Sequence, residues 1–224
     1  MAGINYEDLR LSVQKPGEEG RSHHFGLIPS DSSGVTIGVG FDIGQHSTRE
    51  LEEIFKGNES LISKLSPYAN KSGKVAKDYH DKYPLTLDPK GQDYLDVILM
   101  PVKYKIDEIS SKYDKEVGKK GAFAKLEPIK QEIIFSTMYQ LGYQKIPKKS
   151  GGYQNTGAPD FWKAAVDQDW DAFEEELLSS DWPKDALARK NREGYRFKRW
   201  QEDQMRNTMM PNKAIMDTIE SIPQ

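Results

Sequence analysis

Residues 33–45 read SGVTIGVGFDIGQ. Val35, Ile37, Val39, Phe41 and Ile43 share one parity, and Thr36, Gly38, Gly40, Asp42 and Gly44 share the other. Successive side chains of a strand point to opposite faces, so this pattern buries one face and leaves Thr36 and Asp42 on the open one. Straight strand would hold those two residues ~20 Å apart, at about 3.3 Å per residue, too far to act on one bond. Cooperation between them requires a bend, and Gly38, Gly40 and Gly44 permit a bulge, a turn or close approach of a ligand to bare backbone. A glycine-rich hairpin with a polar outer face satisfies the same pattern without any chemistry. A phosphate-cradling loop fits poorly: the glycines lack GxGxxG spacing, no GK[ST] follows, and residues 45–50 (QHSTRE) look like the cap of a helix.

Composition narrows the classes. With 36% apolar and 30% charged residues in 224, the chain is expected to be an ordinary globular one rather than disordered. No window approaches 18 apolar residues, and the run from Met1 to Glu7 has neither a basic start nor an apolar core. Neither a membrane span nor a cleaved signal peptide is therefore expected. Without cysteine there is no disulfide framework, thiolate nucleophile or cysteine-ligated zinc, and the redox compartment stays open. A net charge of −3 argues against nucleic acid as the main partner. His23 and His24 are adjacent, so a strand points them apart, and no HxxxH spacing suggests a metal.

Along the chain, residues 5–13 suit a short helix that Pro16-Gly17 stops, with Glu18-Glu19-Gly20 standing just before a strand-like run at 21–29 and a turn at 30–34. Glu18, Glu19 and Asp31 read, by default, as solvated surface charge. Ser47 with Glu50 forms a capping box for a helix carrying Leu51, Ile54 and Phe55. Short helical pieces separated by Pro67, Gly73 and Pro84 then connect to a long pattern predicted from Asp88 through Tyr113, which Pro101 should kink or split. The most apolar helix is predicted over 126–143 and a flexible basic loop over 145–157. Two further helices follow from Pro159 and Asp169, and then an arginine-rich helix closing at Trp200. That last composition suits a solvated face, and equally pairing with a buried carboxylate or an anionic ligand. The expected division is a small mixed lobe at 1–87, a helical lobe at 88–210 and a tail at 211–224.

Glu19-Gly20, Thr36-Ile37-Gly38-Val39-Gly40 and Tyr139-Gln140-Leu141-Gly142 together resemble the phage-type lysozymes. The hairpin resembles most the pesticin-like branch, in which S-G-V-T-I-G-x-G-x-D-[LI]-G-Q recurs and appears almost whole at 33–45. Residues 161–182 and the pair Asn191-Arg192 agree in order with later segments of that family, so the resemblance spans roughly residues 18–200.

The resemblance implies an α+β, lysozyme-like fold with a small sheet-bearing lobe and a larger helical one. It implies Glu19 as general acid, a task for a carboxyl group whose pKa is raised by partial burial. The second carboxylate falls at Asp31 in the plain phage pattern and at Asp42 in the pesticin-like one. Asp42 is the choice here, because it has the parity of Thr36 and the glycine bend can bring them together. Thr36 would hold the attacking water, Arg192 would orient Glu19, and Tyr139 and Gln140 would line the substrate. The implied activity is a muramidase acting on peptidoglycan without metal or cofactor, as an antibacterial toxin or effector, or a phage endolysin. It would be made in the cytoplasm and act on the wall of a target cell, and a toxin would imply a cognate immunity protein. The competing class is a lysozyme-like module that binds glycan or a partner without cleaving it; retention of Glu19 with a second carboxylate favours the enzyme. A nuclease or a pore former lacks its sequence marks: there is no histidine-metal cluster and no apolar hairpin long enough to span a bilayer.

Overall fold

A computed structural model describes Leu9 and residues 23–141, 146–147, 153–154, 158–178 and 187–209. Glu18 and Glu19, the remainder of the helix expected at 5–13, the side chain of Gln140 and the tail lie outside the described residues. The chain forms two compact units, one within residues 5–110 and the other made chiefly of residues 111–224.

The first unit is built around an antiparallel sheet of β1 (His23–Leu27), β2 (Thr36–Gly38) and β3 (Phe41–Asp42), in that order. The bend that the glycines permit is a tight turn at Val39 and Gly40, with Gly38 and Gly40 in the left-handed region at φ +62° and +95°. Side chains rarely tolerate that backbone, which is why both positions are glycine. The turn folds β3 onto β2 so that Ile37 pairs with Phe41 and Thr36 with Asp42. Val35, Ile37, Phe41 and Ile43 enter a core with Leu51, Phe55, Leu61, Leu65, Leu85 and Val97.

Helices close over that core. The capping box predicted at Ser47 and Glu50 is present and opens α1 (Thr48–Ile54), with Glu50 N donating to Ser47 Oγ at 3.2 Å and Ser47 N to Glu50 Oε2 at 2.7 Å. Asn58 caps α2 (Glu59–Leu65) and also donates to Asp93 and Asp96, at 2.9 and 2.7 Å. After α3 (Gly73–Lys82) the chain runs beside β1, where Gly26 N donates to Leu85 O at 2.8 Å and Leu87 N to His24 O at 2.7 Å. α4 (Gln92–Val117) runs unbroken through Pro101, and its first turn comes later than the sequence suggests. Asp88 accepts from Lys90 N at 3.0 Å and Gly91 N donates to Asp88 O at 2.9 Å, so residues 88–91 make a turn of their own before the helix.

In the second unit α5 (Pro128–Leu141) buries Ile133, Ile134, Phe135 and Met138 completely. The segment expected to be wholly loop contains a short antiparallel pair, β4 (Ile146–Pro147) with β5 (Tyr153–Gln154). α6 (Pro159–Asp167), α7 (Trp170–Leu178) and α8 (Leu187–Met209) follow, and α8 extends beyond Trp200, where the sequence reading ended it. Aromatic contacts join these helices: Phe161 to Phe173 at 4.4 Å and Phe173 to Phe197 at 5.1 Å between ring centroids. Tyr113 donates to Ala165 O at 3.1 Å, and burial pushes its hydroxyl up to about 12. The Lys130 ammonium sits 3.9 Å from the Trp170 ring centre and 4.9 Å from that of Trp200, so cation–π attraction offsets its burial. The architecture is α+β, with one small sheet at the N-terminal side and a larger helical region.

Candidate active site

The β2–β3 hairpin brings Thr36 and Asp42 side by side on the face of the sheet away from the core. Directly paired residues of an antiparallel ladder project to the same side, with Cβ atoms about 4.5–5.5 Å apart. Backbone donors hold the Asp42 carboxylate: Gly34 N donates to Oδ2 at 3.1 Å and Gly44 N to Oδ1 at 3.0 Å. The second bond caps the 3-10 turn Ile43–Gln45. Glycine is required at both donors, since a Cβ on Gly34 would lie 2.4 Å from Asp42 Oδ1 and one on Gly44 would lie 2.0 Å from Lys71 O. An ionised carboxylate offers about four acceptor sites, so the two N–H groups fix its plane and leave lone pairs able to take a proton from water. Thr36 is 8% exposed, and its hydroxyl can both donate and accept.

His46 follows the turn, stacked on Phe41 with ring centres 4.7 Å apart. Burial lowers its pKa, against the opposing pull of the Glu50 and Asp42 charges. Asp31, the other carboxylate weighed from sequence, is exposed in a turn before β2, closed by Ser33 N donating to Ser30 O at 3.1 Å.

The second unit carries the remaining candidates. Tyr139 is half-buried on α5, with its ring 5.6 Å from Phe135. Arg192, on α8, donates through Nε to Glu193 Oε1 at 3.0 Å and through Nη2 to Ser136 Oγ at 3.3 Å, and Nη2 is also ion-paired with Glu193. Glu193 is fully buried, accepts from Ser136 Oγ at 3.0 Å, and accepts from Arg196 Nη1 at 3.1 Å through its other oxygen. Arg196 reaches on to Glu132 of α5. Two guanidinium groups are thus balanced by two carboxylates across α5 and α8, which restrains Arg192. Sequence reading missed Glu193 and Ser136. The signal was the Asn-Arg-Glu run itself, an acid beside the arginine on a helix otherwise rich in basic groups. Among the described residues, no group of three or more histidine, aspartate or glutamate side chains could hold a metal ion.

These elements define a protein of the α+β lysozyme-like class. Residues 13–171 match the family model described as "Pesticin: Bacterial toxin homologue of phage lysozyme, C-term", and the chain belongs to that family. The matched span includes Glu19, Asp31, Thr36, Asp42, Tyr139 and Gln140; Arg192 and Glu193 lie beyond it. A comparison with curated proteins found no match.

Proposed function

We propose that this chain is a muramidase that hydrolyses the β-1,4 bond between N-acetylmuramic acid and N-acetylglucosamine in peptidoglycan, and that it serves as an antibacterial toxin. The observation that carries this reading is the cross-strand pairing of Thr36 with an Asp42 carboxylate gripped by two backbone N–H groups. Glu19 protonates the leaving glycosidic oxygen. Thr36 and Asp42 hold a water on the opposite side of the sugar ring, and Asp42 takes its proton as the oxygen attacks the anomeric carbon. Two carboxyl groups and that water suffice for glycoside hydrolysis; inverting glycosidases leave room for such a water with carboxyls roughly 6.5–9.5 Å apart, and inversion is the expected outcome. Arg192, restrained by Glu193, serves with Tyr139 and Gln140 in substrate binding. The producing cell carries an immunity protein against it, and the site of action is the wall of the target cell.

The test is product identity. Sacculi digested with the purified protein and analysed by mass spectrometry should yield fragments with N-acetylmuramic acid at the new reducing end. Reducing-end N-acetylglucosamine, or intact strands with the protein bound, would contradict the assignment.

A further inference from the structure

On β1, Gly26 faces the core, where an added Cβ would meet Val35 Cγ1 at 2.6 Å and Leu85 Cβ at 3.2 Å. Alternation therefore turns its neighbours Phe25 and Leu27 to the other side. Leu27 pairs with Thr36, and Thr36 with Asp42, so Phe25, Leu27, Thr36 and Asp42 share one face of the sheet, while Ile37 and Phe41 enter the core from the other. Between His23 and Leu27 the register with β2 shifts, and a bulge of this kind re-aims a side chain. At its centre Phe25 is 44% exposed.

A lone exposed phenylalanine is unremarkable in itself. This one is flanked by the imidazoles of His23 and His24, with ring centres at 5.2 and 5.3 Å, and is bridged to Thr86, itself exposed between the buried Leu85 and Leu87. It stands two residues from Leu27, the cross-strand partner of Thr36, and on the same face, so one short stretch of glycan can meet both. A fixed aromatic ring with polar neighbours suits the C–H face of a pyranose, whose equatorial hydroxyl and acetamido groups point outward to hydrogen-bonding partners.

We propose that this outer face of β1 is a sugar subsite continuous with the Thr36–Asp42 pair, in which Phe25 stacks on one ring of a β-1,4-linked N-acetylhexosamine strand while His23 and Thr86 bind its polar edge. The proposal rests on the muramidase reading and adds to it where the strand lies. The test compares Phe25→Ala, Phe25→Leu and Phe25→Tyr in the full chain, using peptide-free glycan strands released from sacculi as substrate and as calorimetric ligand. Loss of the stack should raise KM and the dissociation constant about 2- to 10-fold in the alanine and leucine variants, with kcat unchanged. The tyrosine variant should behave as wild type, and all three should melt with it, since the ring is not core. Wild-type KM and binding in Phe25→Ala, or equal behaviour of the leucine and tyrosine variants, would overturn the subsite. Were the wild-type protein to cleave nothing, the muramidase reading would fall separately, and calorimetry would still decide whether Phe25 binds glycan.

Discussion

Replacing Asp42 with asparagine changes one oxygen into an NH2 group and removes a charge, and its cost follows from the two bonds the carboxylate accepts. Gly34 N at 3.1 Å and Gly44 N at 3.0 Å both need an acceptor, and asparagine supplies a single carbonyl oxygen. Whichever oxygen it keeps, one backbone N–H is left facing another donor. A hydrogen bond to a charged acceptor contributes about 1.5–3 kcal/mol, and partial exposure of Asp42 places the loss near the lower end, about 2 kcal/mol. In a protein of this size that corresponds to roughly 4–8 °C in melting temperature. Scanning calorimetry and urea titration measure the stability change, and turbidity loss of sacculi measures activity, which should fall by orders of magnitude on the proposal that Asp42 is the water-activating base. Asp31→Asn, in an exposed turn, should alter stability by less than about 0.5 kcal/mol and leave lysis intact. An Asp42→Asn protein as stable as wild type would show that the carboxylate is not held by these backbone donors. A dead Asp31→Asn beside an active Asp42→Asn would move the base to Asp31.

Other expectations concern pH, the buried ion network and stereochemistry. The folded-state pKa of His46 lies below its ordinary value, chiefly through burial, so its contribution to stability is complete above about pH 6.5 and is lost as the pH falls through the folded value. His46→Gln should therefore show a shallower fall in melting temperature on acidification than wild type, and an equal slope would contradict this. Glu193→Ala leaves two guanidinium groups without their shared buried carboxylate and should cost about 3 kcal/mol, the low end for a broken buried pair because both arginines are partly exposed; urea unfolding checks it. Proton NMR of the first-formed product, taken before mutarotation, should show the α-anomer, and an initial β-anomer would mean double displacement with no water held by Thr36.

Parity and glycine placement made the hairpin legible, because a tight turn at Val39 and Gly40, entered through left-handed Gly38, is a local event that needs no distant partner. The Ser47–Glu50 box was legible for the same reason. What escaped reading depends on contacts far along the chain. Glu193 meets Ser136 from 57 residues away, so the acid beside Arg192 marks a candidate pair while its burial depends on a helix far back in the chain. The start of α4 was misplaced because Asp88-Pro89 is equally good chemistry for a helix cap and for a turn, and Gly91 tips it to the turn. Pro101 lies within one helix because proline removes one hydrogen bond, a loss that packing of Val97, Val102 and Ile106 can offset. The β4–β5 pair was hidden by a composition rich in lysine and glycine.

The most direct measurement of the central claim is turbidity loss of purified sacculi treated with wild type, Glu19→Gln and Glu18→Gln, each checked for intact fold by circular dichroism. Glu19→Gln should be inert with an unchanged spectrum, while Glu18→Gln should keep most of the activity. Lysis at the wild-type rate by Glu19→Gln would contradict its role as general acid, and loss in Glu18→Gln alone would shift that role by one residue.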